Sequence, residues 1–143
     1  MSIWRANVSL EHIRSLQKDS MPGHLGIEFT ELGPDYLRGT MPVTAKTMQP
    51  FGVLHGGASV AFAETLASIA AYLCIDGERF QCFGQEINAN HLKSVKSGLV
   101  TGTTRPFHIG ARSQVWGIEI VDALGRLACV SRITIAVVER TPK

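Results

Sequence analysis

The sequence has 143 residues, of which 18% are charged and 45% hydrophobic, and its formal net charge is +2. This length predicts one domain spanning residues 1–143, large enough to bury about two thirds of its unfolded surface. Lysine and arginine are scattered and form no basic stripe, which argues against nucleic acid as a partner. The mild positive balance suits a small phosphorylated ligand.

The cysteines and the N-terminus bear on the cellular compartment. Cys74, Cys82 and Cys129 show no CxxC spacing and lie in apolar runs, so we expect buried free thiols rather than disulfides or a metal site. Residues 1–11 lack the uninterrupted apolar core of a secretory signal. Both observations predict a cytoplasmic protein.

The first 57 residues predict a short helix, a hairpin and a loop. Ser9 is a good N-cap, and the apolar spacing predicts an amphipathic helix over 10–18, which Met21-Pro-Gly-His should break. Residues 25–32 and 36–43 flank the turn at 33–35 and are predicted to pair. The turn-forming and polar residues 44–57 then form a loop, and loops of this length usually carry function.

The stretch 48–75 organises the rest of the chain. A glycine-rich turn leads into residues 58–75, where alanine, leucine, phenylalanine and isoleucine predict a helix with one charge, Glu64. A helix that is apolar nearly all round lies in a bilayer or inside a wrapping sheet. Weak hydrophobicity and a mid-span carboxylate, which costs roughly 3 kcal/mol, argue against the bilayer. We therefore expect a central helix with a buried glutamate.

Four predicted strands follow the central helix. They cover residues 80–92, 98–106, 112–122 and 127–138, and the last of them alternates apolar and polar side chains. The order of elements predicts an α+β fold in which a curved antiparallel sheet wraps the helix. A ferredoxin-like sheet would need two amphipathic helices, and the sequence has one long one.

The start and middle of the central helix carry groups suited to catalysis. The glycines after His55 allow a ligand oxygen to approach the backbone N–H groups at the helix N-terminus, which is how an oxyanion hole is built. Glu64 suits a general base or nucleophile, and Ser68 is placed one turn later to orient it or a water. Gly56 and Glu64 are eight residues apart, or roughly 12 Å along one helix. If both act on one carbonyl, they come from two subunits whose helices run antiparallel.

The run from Gln49 to Thr65 resembles the hotdog-fold acyl-CoA thioesterases, in the 4-hydroxybenzoyl-CoA thioesterase branch that keeps its glutamate on the central helix. The resemblance continues through residues 86–91 and 107–116 and into the last strand. It implies a hotdog fold and hydrolysis of acyl-CoA or aryl-CoA thioesters, with no metal and no cofactor other than the coenzyme A of the substrate. It also implies a homodimer with composite sites, assembled as a dimer of dimers, and gives no role to a membrane.

Site residues follow from the resemblance by position. Glu64 matches the catalytic carboxylate, Gly56 the N–H that polarises the thioester carbonyl, and Ser68 the hydroxyl that aligns the water. Gln49 and His55 match side chains near the thioester. The positions that match coenzyme A contacts are Gly84, His91, Leu92, Lys93, Ser94, His108, Ile109, Gly110, Ala111, Arg112 and Ser113. Among these, Lys93 and Arg112 are the expected phosphate partners.

Several alternatives stay open at the level of sequence. The acyl group is 1,4-dihydroxy-2-naphthoyl, hydroxybenzoyl or another, with menaquinone synthesis, siderophore proofreading and aromatic catabolism all compatible. The carrier is free coenzyme A or an acyl carrier protein. Gln85 and Ala111 depart from the residues usual in close relatives. The rival functions are an acyl-thioester hydratase or dehydratase and a non-catalytic acyl-CoA-binding module.

Overall fold

The computed structural model describes residues 1–5 and 7–141. Within them it contains three helices, α1 (Leu10–Ser15), α2 (Met21–His24) and α3 (Gly56–Leu73). The six strands are β1 (Glu28–Leu32), β2 (Leu37–Pro42), β3 (Phe80–His91), β4 (Leu99–Ile109), β5 (Ser113–Val121) and β6 (Leu127–Glu139).

All six strands form one antiparallel sheet in the order β1-β2-β4-β5-β6-β3. The chain leaves β2 near one edge, passes through α3, and enters β3 at the opposite edge. The long helix therefore crosses the sheet from one side to the other. The predicted α+β fold, with one antiparallel sheet packed on one long helix, is confirmed.

Helix α3 buries one face and leaves the other partly open. Phe62, Leu66 and Ala70 are fully buried against the sheet, whereas Glu64 and Ser68 are only half-buried. The expectation that Glu64 is buried is wrong for a single chain, because the face of α3 that carries it is only partly covered. By length and composition α3 also qualifies as a membrane span, but its packing on the sheet accounts for its apolar face.

Two paired glycines allow α3 to approach the sheet closely. Gly39 of β2 and Gly102 of β4 are register partners, and a Cβ on either would meet the Leu66 side chain at 3.0 or 2.5 Å. The end of α3 is held by the buried Gln114, whose Nε2 donates a 3.3 Å hydrogen bond to the Ala71 carbonyl. The helix is thus fixed to the sheet at its middle and at its end.

The two edges of the sheet are treated differently. At β1, Arg14 of α1 donates from Nε and Nη2 to the Phe29 carbonyl at 3.0 and 2.9 Å, which covers part of that edge. Strand β3 has 12 residues and, within the described residues, pairs with β6 alone. A long edge of unpaired N–H and C=O groups is a template for pairing with another chain.

The structure corrects several predicted boundaries. Helix α1 ends at residue 15 rather than 18, and 21–24 forms a turn of helix rather than a break, since Pro22 in a first turn removes no needed hydrogen bond. Helix α3 begins two residues earlier than predicted, at Gly56. Strand β4 continues past residue 106 to Ile109 because a bulge between Pro106 and His108 keeps the pairing with β5.

The three cysteines are free, as predicted, although only Cys129 is buried and the other two are half-buried. Burial raises the pKa of the Cys74 thiol to about 12 and that of Cys82 to about 11. Both thiols are therefore protonated near neutral pH and behave as apolar packing groups.

Substitution of Gly102 tests the close approach of α3. A valine there would place methyl groups against Leu66 and Phe62, and overpacking of this kind costs roughly 1–3 kcal/mol. We expect Gly102→Val to lower the free energy of unfolding by that amount in urea titrations. Thr101→Val, on the opposite face of the same strand, is the control and should stay within about 0.5 kcal/mol of wild type. Equal stability of both variants would show that α3 is not held at this point.

Candidate active site

The N-terminus of α3 presents one unpaired backbone donor. His55 is the N-cap, with ψ of 131°, and its Nδ1 accepts a 2.7 Å hydrogen bond from the Gly57 N–H. The Gly56 N–H has no hydrogen-bond partner within residues 1–5 and 7–141. His55 therefore accepts the hydrogen bond of the Gly57 N–H and leaves the Gly56 N–H available to a ligand. The positive end of the helix dipole adds to this donor.

Gln49 lies in the loop before α3 and presents a second donor. Its side-chain carbonyl accepts a short hydrogen bond from the Phe51 N–H, which assigns the oxygen and leaves the amide NH₂ available. The loop is held in place by backbone hydrogen bonds from Leu54 to Val95 and from His55 to Thr47, both 2.8 Å long. Gln49 and the helix start are thus parts of one braced segment.

A cavity of about 320 Å³ joins these donors to the end of β3. Its lining residues are Gln49, Val53, Leu54, Gly56, Ser59, His91, Leu92, Lys93, Ser94 and Ala128. Lys93, which is exposed, supplies the positive charge among these lining residues. The structure therefore brings one part of the predicted coenzyme A set, 91–94, to the predicted oxyanion donor.

Glu64 lies elsewhere, against the edge strand. A Cβ built on Gly84 of β3 would be 2.6 Å from the Glu64 Oε1, so the carboxylate rests where only a glycine leaves room. A β-bulge between Gly84 and Glu86 adjoins this contact, and bulges are common next to active sites. Ser68, one turn away, forms no hydrogen bond with Glu64 in the described chain. Sequence reasoning placed Gly84 with coenzyme A and missed this contact, although a glycine inside a strand signals close approach.

One chain does not bring the donor and the carboxylate together. Gly56 and Glu64 lie on the same unbroken helix, so about 12 Å of helix separates them. Gly56 lies beside His91 and Glu64 beside Gly84, so the two groups face β3 at its end and near its middle, respectively. The separation of Gly56 and Glu64 that the sequence predicts is therefore kept in the folded chain.

The remaining predicted contacts form a separate group at the turn between β4 and β5. Within 108–113, the Gly110 N–H donates to the Ser113 carbonyl at 2.9 Å. Ala111 and Arg112 line a cavity of about 700 Å³ together with Gln85. Gln85 and Ala111, the two positions at which the sequence is expected to depart from close relatives, thus line one cavity. No cluster of His, Cys, Asp or Glu among the described residues is arranged to hold a metal ion.

Comparison with known proteins supplies the family. The profile of the Thioesterase superfamily matches residues 51–129. The chain is 50% identical over 135 residues to the 1,4-dihydroxy-2-naphthoyl-CoA hydrolase of Escherichia coli K12, with 94% of this chain and 98% of that protein covered. It is 49% identical over 137 residues to the proofreading thioesterase EntH of Cronobacter turicensis, with the same coverage of 94% and 98%.

Solved structures agree with the sequence matches. A variant of thioesterase PA1618 from Pseudomonas aeruginosa superposes with a TM-score of 0.95 at 44% identity, covering 97% of this chain and 100% of that one. Thioesterase HI1161 from Haemophilus influenzae gives a TM-score of 0.92 at 47% identity, covering 96% and 95%. Since the profile spans more than half of the chain and these relatives match nearly all of it, the chain belongs to the thioesterase superfamily and has its hotdog fold.

Proposed function

We propose that this thioester hydrolase cleaves aryl-CoA or acyl-CoA thioesters to the free acid and coenzyme A, with Gly56 and Glu64 as its central catalytic groups. The observation that carries the proposal is the unpaired Gly56 N–H at the start of α3, beside the Gln49 amide in one cavity. The name of the Escherichia coli relative makes 1,4-dihydroxy-2-naphthoyl-CoA the first substrate to test. The Cronobacter relative is named a proofreading thioesterase, and we propose a carrier-protein thioester of the same acid as the second substrate to test.

The two donors and the carboxylate have complementary tasks in this mechanism. The thioester carbonyl accepts a hydrogen bond from the Gly56 N–H, and the Gln49 amide, which lines the same cavity, donates a second one as charge develops on the oxygen. The Glu64 carboxylate either attacks the carbonyl carbon or takes a proton from a water that attacks it. The carbon–sulfur bond then breaks and the thiolate leaves with the electron pair. Both routes use the same residues.

We further propose that the site forms between two chains. The open edge of β3 and the uncovered face of α3 both need a partner, and a second copy supplies both. Antiparallel pairing of two β3 strands, centred between Ile87 and Asn88, sets Gly84 of one chain opposite His91 of the other. Because Glu64 lies beside Gly84 and Gly56 beside His91, this pairing brings the carboxylate to the donor of the second chain.

The same pairing gathers the charged contacts for coenzyme A. Lys93 lies just beyond the last residue of β3, and Arg112 lines a cavity with Phe80 at the first residue of β3, so the two cations approach one site only across two chains. We propose that both bind phosphate groups and that two such dimers associate as a tetramer. The three free cysteines support a cytoplasmic location.

Loss of the carboxylate is the primary test of the function. We expect wild-type protein to release thiol from an aryl-CoA in a panel of aromatic, short-chain and long-chain acyl-CoAs, and Glu64→Gln to lose at least about a hundredfold in kcat. Thiol release is followed spectrophotometrically. Hydration of crotonyl-CoA without thiol release would favour a hydratase. Acyl-CoA binding without turnover would favour a binding module and would make Glu64 expendable.

Gly84 tests the positioning of the carboxylate separately from its chemistry. The methyl group of Gly84→Ala meets the flexible end of Glu64, so the carboxylate moves and the fold does not. We expect kcat to fall by about tenfold to a hundredfold, with the free energy of unfolding changed by less than about 0.5 kcal/mol. Gly117→Ala is the matched control, since its methyl meets the exposed ring of Phe107. Full activity in Gly84→Ala would mean that Glu64 does not act from this position.

Mixed dimers test the composite site. Gly56→Pro removes the donor while suiting the first position of a helix, and His55 already has the extended ψ that precedes proline. Gly56→Ala, which keeps the N–H and adds a Cβ against the same His91 ring as proline does, is its control. Pairing a Gly56→Pro chain with a Glu64→Gln chain leaves one site intact, so we expect up to about half of wild-type activity from two inactive parents.

The reverse combination distinguishes the alternatives. When one chain carries both substitutions and the other is wild type, every shared site lacks either the Gly56 donor or the Glu64 carboxylate. Dimers with a different tag on each chain, purified through both tags, should then be inactive. A site contained within one chain predicts the opposite pattern, with half activity in the second mixture and none in the first.

A further inference from the structure

His91 ends β3 with its imidazole packed against the start of α3. A Cβ on Gly56 would lie 2.9 Å from the His91 Nε2, 3.2 Å from Cε1 and 3.3 Å from Cδ2. The ring therefore occupies the space that a side chain at Gly56 would need, immediately beside the unpaired N–H. His91 and Gly56 also line the same cavity as Gln49.

The backbone pairing fixes the Cα of His91 and leaves the nitrogens of its ring available. His91 pairs with Cys129 in the last register position of β3, and the next residue, Leu92, donates to the Ala128 carbonyl at 2.7 Å. Within the described residues the His91 ring forms no hydrogen bond. An imidazole whose Cα is fixed by a strand and whose nitrogens reach a cavity is suited to donate a hydrogen bond to a bound ligand.

Resting on the proposed thioester hydrolysis, we infer that His91 acts on the scissile thioester itself, donating its Nε2–H to the departing sulfur, rather than on the nucleotide of coenzyme A. A thioester carbonyl oxygen that accepts a hydrogen bond from the Gly56 N–H lies about 3 Å from the Gly56 nitrogen. The thioester sulfur is attached to the same carbonyl carbon, which brings it within reach of the His91 ring. Lys93, two residues further along the chain, is left to contact the phosphates.

The chemical step balances without any further reactant. Water adds to the carbonyl carbon and loses its proton to Glu64 of the neighbouring chain, or Glu64 attacks first and water then hydrolyses the anhydride. The carbon–sulfur bond breaks with its electron pair on sulfur. The hydrogen bond from Nε2–H stabilises this developing thiolate, which then takes up the proton released by the attacking water, so that the products are the acid and the thiol and Glu64 is again a carboxylate.

The test uses two thioesters of one aromatic acid, one with coenzyme A and one with N-acetylcysteamine, which has the same alkyl sulfur and lacks the nucleotide. We expect His91→Ala to reduce kcat by about tenfold or more with both thioesters. His91→Gln, which keeps an N–H donor on a chain of similar reach, should recover most of that loss. Lys93→Ala, by contrast, should act mainly by raising KM for the coenzyme A thioester.

Different outcomes overturn different statements. If His91→Ala changes only KM, and only with the coenzyme A thioester, His91 contacts the nucleotide arm and the inference is wrong. If the kcat of His91→Ala stays at the wild-type value with both thioesters, the inference is also wrong. The same holds if His91→Gln is as impaired as His91→Ala and thermal unfolding shows that both variants are folded. If wild-type protein hydrolyses neither thioester nor any acyl-CoA of the panel, the proposed function fails and the role of His91 with it.

Discussion

The hydrogen-bonded length of α3 between Gly56 and Glu64 cannot shorten without breaking the helix, and the organisation of the site depends on this constraint. A backbone donor at the first residue and a carboxylate two turns later are rigidly separated. No loop movement within one chain closes that gap. What varies is the surrounding sheet, and among the described residues its edge strand β3 runs past both groups and pairs on one side only.

Glycines set how closely the helix and the sheet approach each other. Gly39 and Gly102 admit Leu66 in the middle of the sheet, whereas Gly84 admits the Glu64 carboxylate at the edge. The first two affect stability, because the neighbouring side chains are fully buried and cannot move away. The third affects geometry, because its neighbour is a flexible side chain at a partly open surface. The same residue type therefore serves the core at one place and the site at another.

The fold was largely predictable because its signals are local. The apolar run after Gly57, the single charge in it and the alternation in the last strand are each readable from neighbouring residues. Strand order was not readable, since nothing in the sequence of β3 shows that it pairs with β6 rather than with β4. The exposure of Glu64 was mispredicted for a related reason: the composition of α3 shows that it is apolar all round, but not which side the chain itself covers.

The candidate site also combines residues that the sequence indicates locally with contacts that only the structure shows. Gly56 and Glu64 stand out because of their unusual neighbours, and their helical spacing gives a distance without any structure. The contacts of Gly84 with Glu64 and of His91 with Gly56 join residues 20 and 35 positions apart, which no local pattern encodes. His91 at the end of β3 and Lys93 two residues beyond it look alike in sequence as basic strand-end residues. Only the structure places one of them at the helix start.

The packing of the His91 ring against Gly56 means that positions 56 and 91 share a single volume. A side chain can be added at 56 only if the one at 91 becomes smaller or turns away, so each position limits which residues the other tolerates. Among homologous chains, residues larger than glycine at the first position should occur with short side chains at the second. A library randomised at both positions together would therefore contain folded, altered pockets that neither single-site library reaches.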